Sequence, residues 1–446
     1  MKQQYDSYKP SGIDWIGDIP SHWDILPLKR ISTMFGRIGY RGYTVQDLRV
    51  EGEGAITLSP SNMSNGGMNY ENVSYLSWEK FHESPEIKIQ EGDILFVKTG
   101  STFGKTSYVD ELPMEATINP QILRIVPSIH QKYLAYCMGT PYSQALTDCY
   151  VVGSTIPTIS QESIGKFVFC VPPLAEQEVI ATWLDDKCGE IDAAIAKVDR
   201  EIELIDELKQ SEISRVVTRG LNPDAPLRPS GIDWIDNIPL NWSSMKLKHT
   251  VKDIETDFMD GDWIESSDIS TEGIRYLTSG NIGPGYYKEQ GEGFISEETF
   301  AELNCIEVFS GDLLISRLNE PIARTCFIPD LGYRIVTCVD NVIYRPIENL
   351  FDKRYMMYQL NTKPFWFNAS QLSSGATMQR ISRSKLGAIK VIVPPLTEQQ
   401  AIADYLDKKC AEIDGLKAKL SKKRETLTEL RQSIISEVVT GKRKVI

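Results

Sequence analysis

The chain has 446 residues, 41% hydrophobic and 24% charged, with 31 Gly and 23 Pro, a composition that fits a globular protein of two or three domains. Each domain can bury a core without a disulfide or metal staple, which excludes the small secreted scaffolds. The 48 Lys and Arg against 61 Asp and Glu leave a net charge of −13; this excludes indiscriminate coating of nucleic acid, which depends on neutralising phosphates, but not a reader with local basic patches.

The N-terminal MKQQYDSYKPSGIDW is polar and lacks a signal core, and the chain holds no apolar run of about 18 residues. A cytosolic protein without membrane contact is expected. Cysteines 137, 149, 170, 188, 305, 326, 338 and 410 form no CxxC pair and read as reduced, mostly buried thiols. Histidines 22, 82, 130 and 249 form no HExxH, so neither a metal site nor histidine-centred catalysis is expected.

In chain order, the first strong signal is PSGIDWIGDIPSHWDILPLKR at Pro10–Arg30, which returns as PSGIDWIDNIPLNWSSMKLKH at Pro229–His249, an offset of 219. VPPLAEQEVIATWLDDKCGEIDAAIAK from Val171 likewise returns from Val393, an offset of 222. The chain is two copies of one unit. Each copy has a lead-in segment, about 145 divergent residues, a VPP hinge and a long stretch without Pro. The divergent parts keep a skeleton: EGDILFVKTGSTFGKTSYV from Glu91 parallels SGDLLISRLNEPIARTCFI from Ser310, and GSTIPTIS from Gly153 parallels GATMQRIS from Gly375. One architecture carrying two different specificities would look like this.

DILFV, LRIV, KFVFCV, LLIS, VIYR and IKVIV are short β-branched or aromatic runs bounded by turn residues, and predict strands. YLAYCMGTPYSQALTD and RYMMYQLNTKPFWFNASQL predict short helices broken at their prolines. The expected class is α+β (mixed α/β), with globules at 1–172 and 221–394 and long helices at 173–220 and 395–446.

In the long helices Ile191, Ile195, Val198, Ile202 and Ile205 step by four and three. Leu406, Ile413, Leu420, Leu427 and Ile434 step by seven, with Leu416 and Leu430 three residues after members of that row. This is coiled-coil spacing, with Ile191, Val198, Ile205, Ile413, Leu420 and Leu427 expected in the seam. At about 1.5 Å per residue, residues 175–218 would make a rod of about 66 Å. Residues 176–219 hold 12 acids and 6 bases, and residues 398–444 hold 8 and 11. Opposite net signs favour pairing the two helices, antiparallel with a globule at each end, over two helices each lying on its own globule.

The chemical motifs mostly fail. GSTFGKT at Gly100–Thr106 is one residue short of a phosphate-binding P-loop, with Thr99 where the first Gly belongs, and the second copy lacks it; it reads as a turn or a DNA-facing loop. The Pro-Pro pairs at Pro172 and Pro394 sit between Val and Leu, unlike a methyltransferase Asp/Asn-Pro-Pro-Tyr/Phe loop. No nuclease spacing, GxSxG or GxGxxG appears, so by elimination the chain reads as non-catalytic.

Binding chemistry remains. KRISTMFGRIGYRGYT places Arg37, Tyr40, Arg41 and Tyr43 among glycines, where guanidinium groups and rings can reach a phosphate backbone or a base edge. Lys98 and Lys105 flank the GSTFGKT turn. In the second copy Arg317, Arg324, Arg334, Arg345, Arg380, Arg383, Lys385 and Lys390 follow a strongly acidic stretch at 251–312. The candidate DNA contacts are Arg37, Tyr40, Arg41, Tyr43, Lys98, Lys105, Arg317, Arg324, Gln379, Arg380 and Arg383. GSTIPTIS and GATMQRIS serve equally as phosphate contacts or as turns.

PSGIDWIGDIPSHW, GDILFVKTGSTFGKT, the GSTIPTIS…VPPLAEQ junction and the helix ending SEISRVVTRG together resemble the specificity subunit of type I restriction-modification enzymes, over essentially the whole chain and twice. The resemblance implies two target recognition domains held by an antiparallel coiled coil with pseudo-two-fold symmetry, each reading half of an asymmetric, bipartite double-stranded DNA site. It implies docking of two methyltransferase subunits, which carry S-adenosylmethionine, and of motor/nuclease subunits, which use ATP and Mg²⁺, with no cofactor or catalysis in this chain. The second copy departs from the TGSTFGKT pattern, which weakens a shared phosphate role for Lys105. The competing class is a two-headed coiled-coil scaffold binding non-DNA ligands.

Overall fold

A computed structural model describes residues 4–64, 67–151, 157–375 and 378–445, leaving aside the side chain of Tyr40. The chain forms two compact units: Met1–Asp199 with Lys422–Ile446, and Arg200–Ser421. Each therefore contains the first half of its own long helix and the last half of the other.

In the first unit β1 (Ser32–Gly36), β2 (Ile94–Val97), β3 (Thr106–Tyr108) and β4 (Ile122–Pro127) form an antiparallel sheet in the order β3-β2-β4-β1. All of β2 is buried because successive side chains enter different cores. Ile94 and Phe96 join Leu123 and Ile125 in the main core, while Leu95 and Val97 join Ile56, Leu58 and Ile122 in a second one. That explains a continuous ILFV run where a one-faced strand would alternate.

The lead-in strand Asp24–Pro27 pairs antiparallel with Val168–Val171, just ahead of the VPP hinge. The two repeated segments thus close the unit on each other. Helix α1 (Gln131–Met138) ends at Gly139, and Pro141 opens the next helix, Pro141–Tyr150, where its missing N–H costs no hydrogen bond. Helix α2 (Leu174–Arg219) sends Ile180, Leu184, Cys188, Ile191 and Val198 inward; the first three pack in the main core with Ile435, Val438 and Val439 from the far end of the chain.

The second unit repeats this plan. Strands β5 (Phe258–Asp260), β6 (Leu313–Ser316), β7 (Thr325–Phe327) and β8 (Asn341–Tyr344) run in the order β5-β8-β6-β7. Ser243–Lys246 pairs with Lys390–Val393. Helix α3 (Lys353–Leu360) corresponds to α1, and α4 (Leu396–Val439) begins after the second VPP. Ile402, Ala403 and Leu406 of α4 share one core with Ile213, Val216 and Val217 of α2.

Within each unit the two helices run antiparallel. In the first, Asp192 pairs with Arg431 at 2.8 Å and Asp199 with Arg424 at 2.6 Å. In the second, Asp206 pairs with Lys417 at 2.7 Å and Lys209 with Asp414 at 2.6 Å. Three of these four place the acid on α2 and the base on α4, as the net charges of the helices favour. Ile191, Val198 and Ile413 are buried, and Ile205, Leu420 and Leu427 half-buried. Leu416 and Leu430 are exposed, contrary to the heptad reading. The row beside the seam runs four residues after Leu406, Ile413, Leu420 and Leu427, through Cys410, Lys417, Arg424 and Arg431, and its three cations make three of the four interhelical pairs.

Candidate nucleic-acid interface

The repeated segments turn out to be structural joints. Glu176 of VPPLAEQ accepts from Trp23 Nε1 at 3.1 Å and contacts His22 Nε2 at 2.8 Å. Gln177 donates to the Pro172 carbonyl at 2.7 Å and accepts from the His130 backbone N–H at 3.0 Å, tying the hinge to the start of α1. Tyr133 donates to the Cys170 carbonyl at 2.7 Å, and its counterpart Tyr355 donates to the Val217 carbonyl at 3.1 Å.

Three candidate DNA contacts lie inside the protein. Arg37, 6% exposed, donates to the Ile118 and Arg41 carbonyls at 3.1 and 3.3 Å and to Thr117 Oγ1 at 3.1 Å, and sits 5.2 Å from the Tyr43 ring centroid. Arg324, 7% exposed, donates to the carbonyls of Ile282, Leu318, Asn319, Pro321 and Ser279. Arg317, 4% exposed, donates to the Ile381 and Val339 carbonyls and pairs with Asp260 at 3.0 Å. Burial lowers the pKa of all three guanidinium groups. Arg37 and Arg324 spend their donors on the fold, and Arg317 spends its two terminal nitrogens there while its buried Nε has no partner among the described residues, so these side chains brace loops from within.

Tyr43 accepts from Thr57 Oγ1 at 3.4 Å, and Arg41 lies 3.5 Å from Glu86. The side chain of Tyr40 lies outside the described residues, as do residues 153–156 of GSTIPTIS and 376–377 of GATMQRIS. GSTFGKT is the β2–β3 hairpin loop. The backbone N–H groups of Phe103, Gly104 and Lys105 donate to Gly100, Val97 and Thr102 carbonyls, so they cannot wrap a phosphate. The Lys105 side chain is half-buried. The second copy keeps the turn without the glycine: Ala323, at φ +71°, donates to Ser316 at 2.8 Å as Gly104 does to Val97.

The acidic stretch and the basic residues that follow it are separated in sequence but joined in the fold. Arg334 pairs with Glu297 at 2.6 Å and Glu307 at 3.0 Å, and Arg345 with Asp312 at 2.6 Å. Lys385 and Lys390 donate to the Leu372 and Gly231 carbonyls. Arg380 and Arg383 are half-exposed and Gln379 exposed. Arg380 Nε lies 2.8 Å from Asp340 and Arg383 Nε 3.7 Å from Asp260. With Arg317 they form a five-charge cluster beyond the end of β6, in which burial is the largest influence on Asp260 and raises its pKa despite the arginines.

Strand register places Lys98 at the matching point of the first unit. Ile94 faces Ile125 as Leu313 faces Tyr344, and Lys98 N donates to the Gln121 carbonyl at 2.8 Å as Arg317 N donates to Asp340. Gly36, Gln121, Thr158 and Gln161 then stand where the second unit has Asp260, Asp340, Arg380 and Arg383. Aligning the copies strand by strand shows these positions; reading each loop for its own charge missed both aspartates and Gly36. Among the described residues, no three His, Cys, Asp or Glu side chains converge where a metal ion could sit.

The two units share one backbone frame and carry different side chains at the equivalent strand end. The family model described as "Type I restriction modification DNA specificity domain" matches residues 48–204 and 248–423, and the chain belongs to this family. It is 24% identical over 368 residues to the type I restriction enzyme MjaVIII specificity subunit of Methanocaldococcus jannaschii, covering 81% of each chain. It is 20% identical to the EcoKI specificity subunit of Escherichia coli K12, covering 95% of this chain and 90% of that one. The fold matches a chain from "Structural basis underlying complex assembly and conformational transition of the type I R-M system" with a TM-score of 0.67 and 15% identity, over 94% of this chain and 98% of that one. Among the described residues no helix is long and apolar enough to cross a membrane.

Proposed function

We propose that this chain selects the DNA sequence for a type I restriction-modification complex, each unit reading one half of an asymmetric, bipartite site. The observation that carries this reading is the tandem frame: both units keep one sheet order and the same pairing of lead-in and hinge strands, and the family model matches each, while the segments between differ in sequence. Readout of base edges demands different side chains for different half-sites, with each bidentate contact worth about 1–3 kcal/mol of discrimination. Arg41, Lys98, Lys105, Gln379, Arg380 and Arg383 are the candidate contacts with surface to offer, and Arg37, Arg317 and Arg324 act by holding the loops that carry them.

The chain works in the cytosol and catalyses nothing itself. Two methyltransferase subunits dock on it and bring S-adenosylmethionine, and motor/nuclease subunits bring ATP and Mg²⁺. A net charge of −13 suits such a role if partners supply much of the phosphate neutralisation. The test is selection from a random duplex pool by the assembled complex. Two short blocks with a fixed gap are expected; one contiguous block, or no enrichment, counts against the reading.

A further inference from the structure

The strand-end position differs between the two units in charge and in the side chains around it. In the first unit the strand end carries Lys98. Among the described residues no carboxylate pairs with it, and none of the remaining residues is Asp or Glu. Its ammonium is half-buried, and burial alone lowers its pKa. Room for it comes from Gly36, where a Cβ would lie 3.3 Å from Lys98 Nζ, 3.5 Å from Leu123 Cδ1 and 3.8 Å from Gln161 Oε1. Among the described residues, the neutral amide of Gln161 lies beside the same Gly36 position and donates to the Met34 carbonyl at 3.0 Å.

In the second unit Asp260 fills the place of Gly36 and takes Arg317 as its partner at 3.0 Å. Arg380 and Arg383 replace Thr158 and Gln161, and Asp340 replaces Gln121. Three cations and two carboxylates leave one net positive charge, the same as Lys98 alone. A partly desolvated cation without a counter-ion is costly unless a ligand supplies the anion.

We propose that this strand end is a DNA backbone phosphate contact kept in both units, made by Lys98 in the first and by half-exposed Arg380, held by Asp340, in the second. The inference rests on the DNA-reading function and assigns the element of it that positions DNA without reading sequence. The shared net charge predicts that each unit contributes equally to counterion release at this point, although one uses a single charged side chain and the other five.

Gly36→Asp tests it by grafting the second unit's carboxylate beside Lys98. Gly36 has an ordinary backbone conformation, and its nearest obstacle is the flexible end of Lys98 itself. The complex assembled with its methyltransferase partner is titrated onto a duplex carrying its methylated motif across a salt series. Gly36→Asp, Lys98→Met and Arg380→Gln should each flatten the slope of log K against log salt by about one and weaken the motif and a scrambled duplex alike. Lys98→Arg should keep the slope, and Asp340→Asn should steepen it.

Wild-type slope and affinity in Gly36→Asp and Lys98→Met would overturn the inference while leaving DNA reading intact. An unchanged slope with relaxed sequence choice would also overturn it, marking a base contact. A wild-type complex that fails to prefer its motif duplex would overturn the function itself, and this inference with it.

Discussion

The indole Nε1–H of Trp242 donates to Glu398 at 2.7 Å, and its repeat counterpart Trp23 donates to Glu176 at 3.1 Å. In each unit this bond fastens the lead-in segment to the first turn of a long helix, which accounts for the pairing of the HW or NW dipeptide with VPPLxE in both copies. Trp242 is 2% exposed, so loss of the acceptor strands a buried donor. Glu398→Ala should cost about 1–3 kcal/mol, and Glu398→Gln less. Thermal unfolding checks this, at about 2–4 °C for each kcal/mol in a unit of this size.

Much of the frame was legible in the sequence because it is local or repeated. ILFV, LLIS and NVIY are strands where β-branched runs predicted them, and the paired helices break before Pro141 and Pro364. What stayed hidden depends on contacts far along the chain. Arg37 sits in a glycine-rich basic segment that reads as a surface loop, yet its partners are Thr117 and Ile118. Arg317 is neutralised by Asp260 and capped by Val339 and Ile381. Leu416 and Leu430 fit a heptad, but the row four residues after Leu406, Ile413, Leu420 and Leu427 carries three of the four interhelical pairs. The exchange of helix halves between units follows from the antiparallel pairing that the opposite net charges of the two helices predicted.

Asp93 and Arg124 form a buried pair at 2.6 Å, with Arg124 also donating to the Glu86 carbonyl at 3.1 Å. Burial is the largest influence on Asp93 and raises its pKa, outweighing the arginine. Arg124→Met should therefore cost about 3–5 kcal/mol by leaving an unpaired buried carboxylate. Asp93→Asn combined with Arg124→Met should cost less than Arg124→Met alone. A double-mutant cycle of urea unfolding measures the coupling.

Glu212 on α2 accepts from Tyr405 at 2.7 Å and from Arg215 at 2.8 Å, and Arg215 chiefly lowers its pKa to about 2 from 4.5. A depressed carboxylate stabilises the fold fully above its unfolded pKa and loses that contribution as pH falls through the folded value. The second unit should thus lose stability between about pH 5 and 2. Glu212→Gln should flatten that part of the curve and cost about 1 kcal/mol at neutral pH, since its partner Arg215 is exposed and solvent screens the pair. Melting temperatures of both proteins over that range check the sign; a parallel fall would contradict it.

The interhelical pairs are exposed, so Arg431→Glu should cost less than about 1 kcal/mol on its own. Restoring the opposite sign with Asp192→Arg should recover most of the loss. The readout is the midpoint of urea unfolding at low and high salt, with the difference shrinking as salt rises.

The central claim is that this chain chooses the DNA sequence with two separate units. The most direct measurement is single-molecule mapping of methylated adenines in cells making this chain with its methyltransferase partner, beside cells in which residues 251–389 are exchanged for those of a relative. A bipartite motif with a fixed gap is expected, of which the exchange changes one half only. No motif that depends on this chain, or an exchange that alters both halves together, would contradict the account.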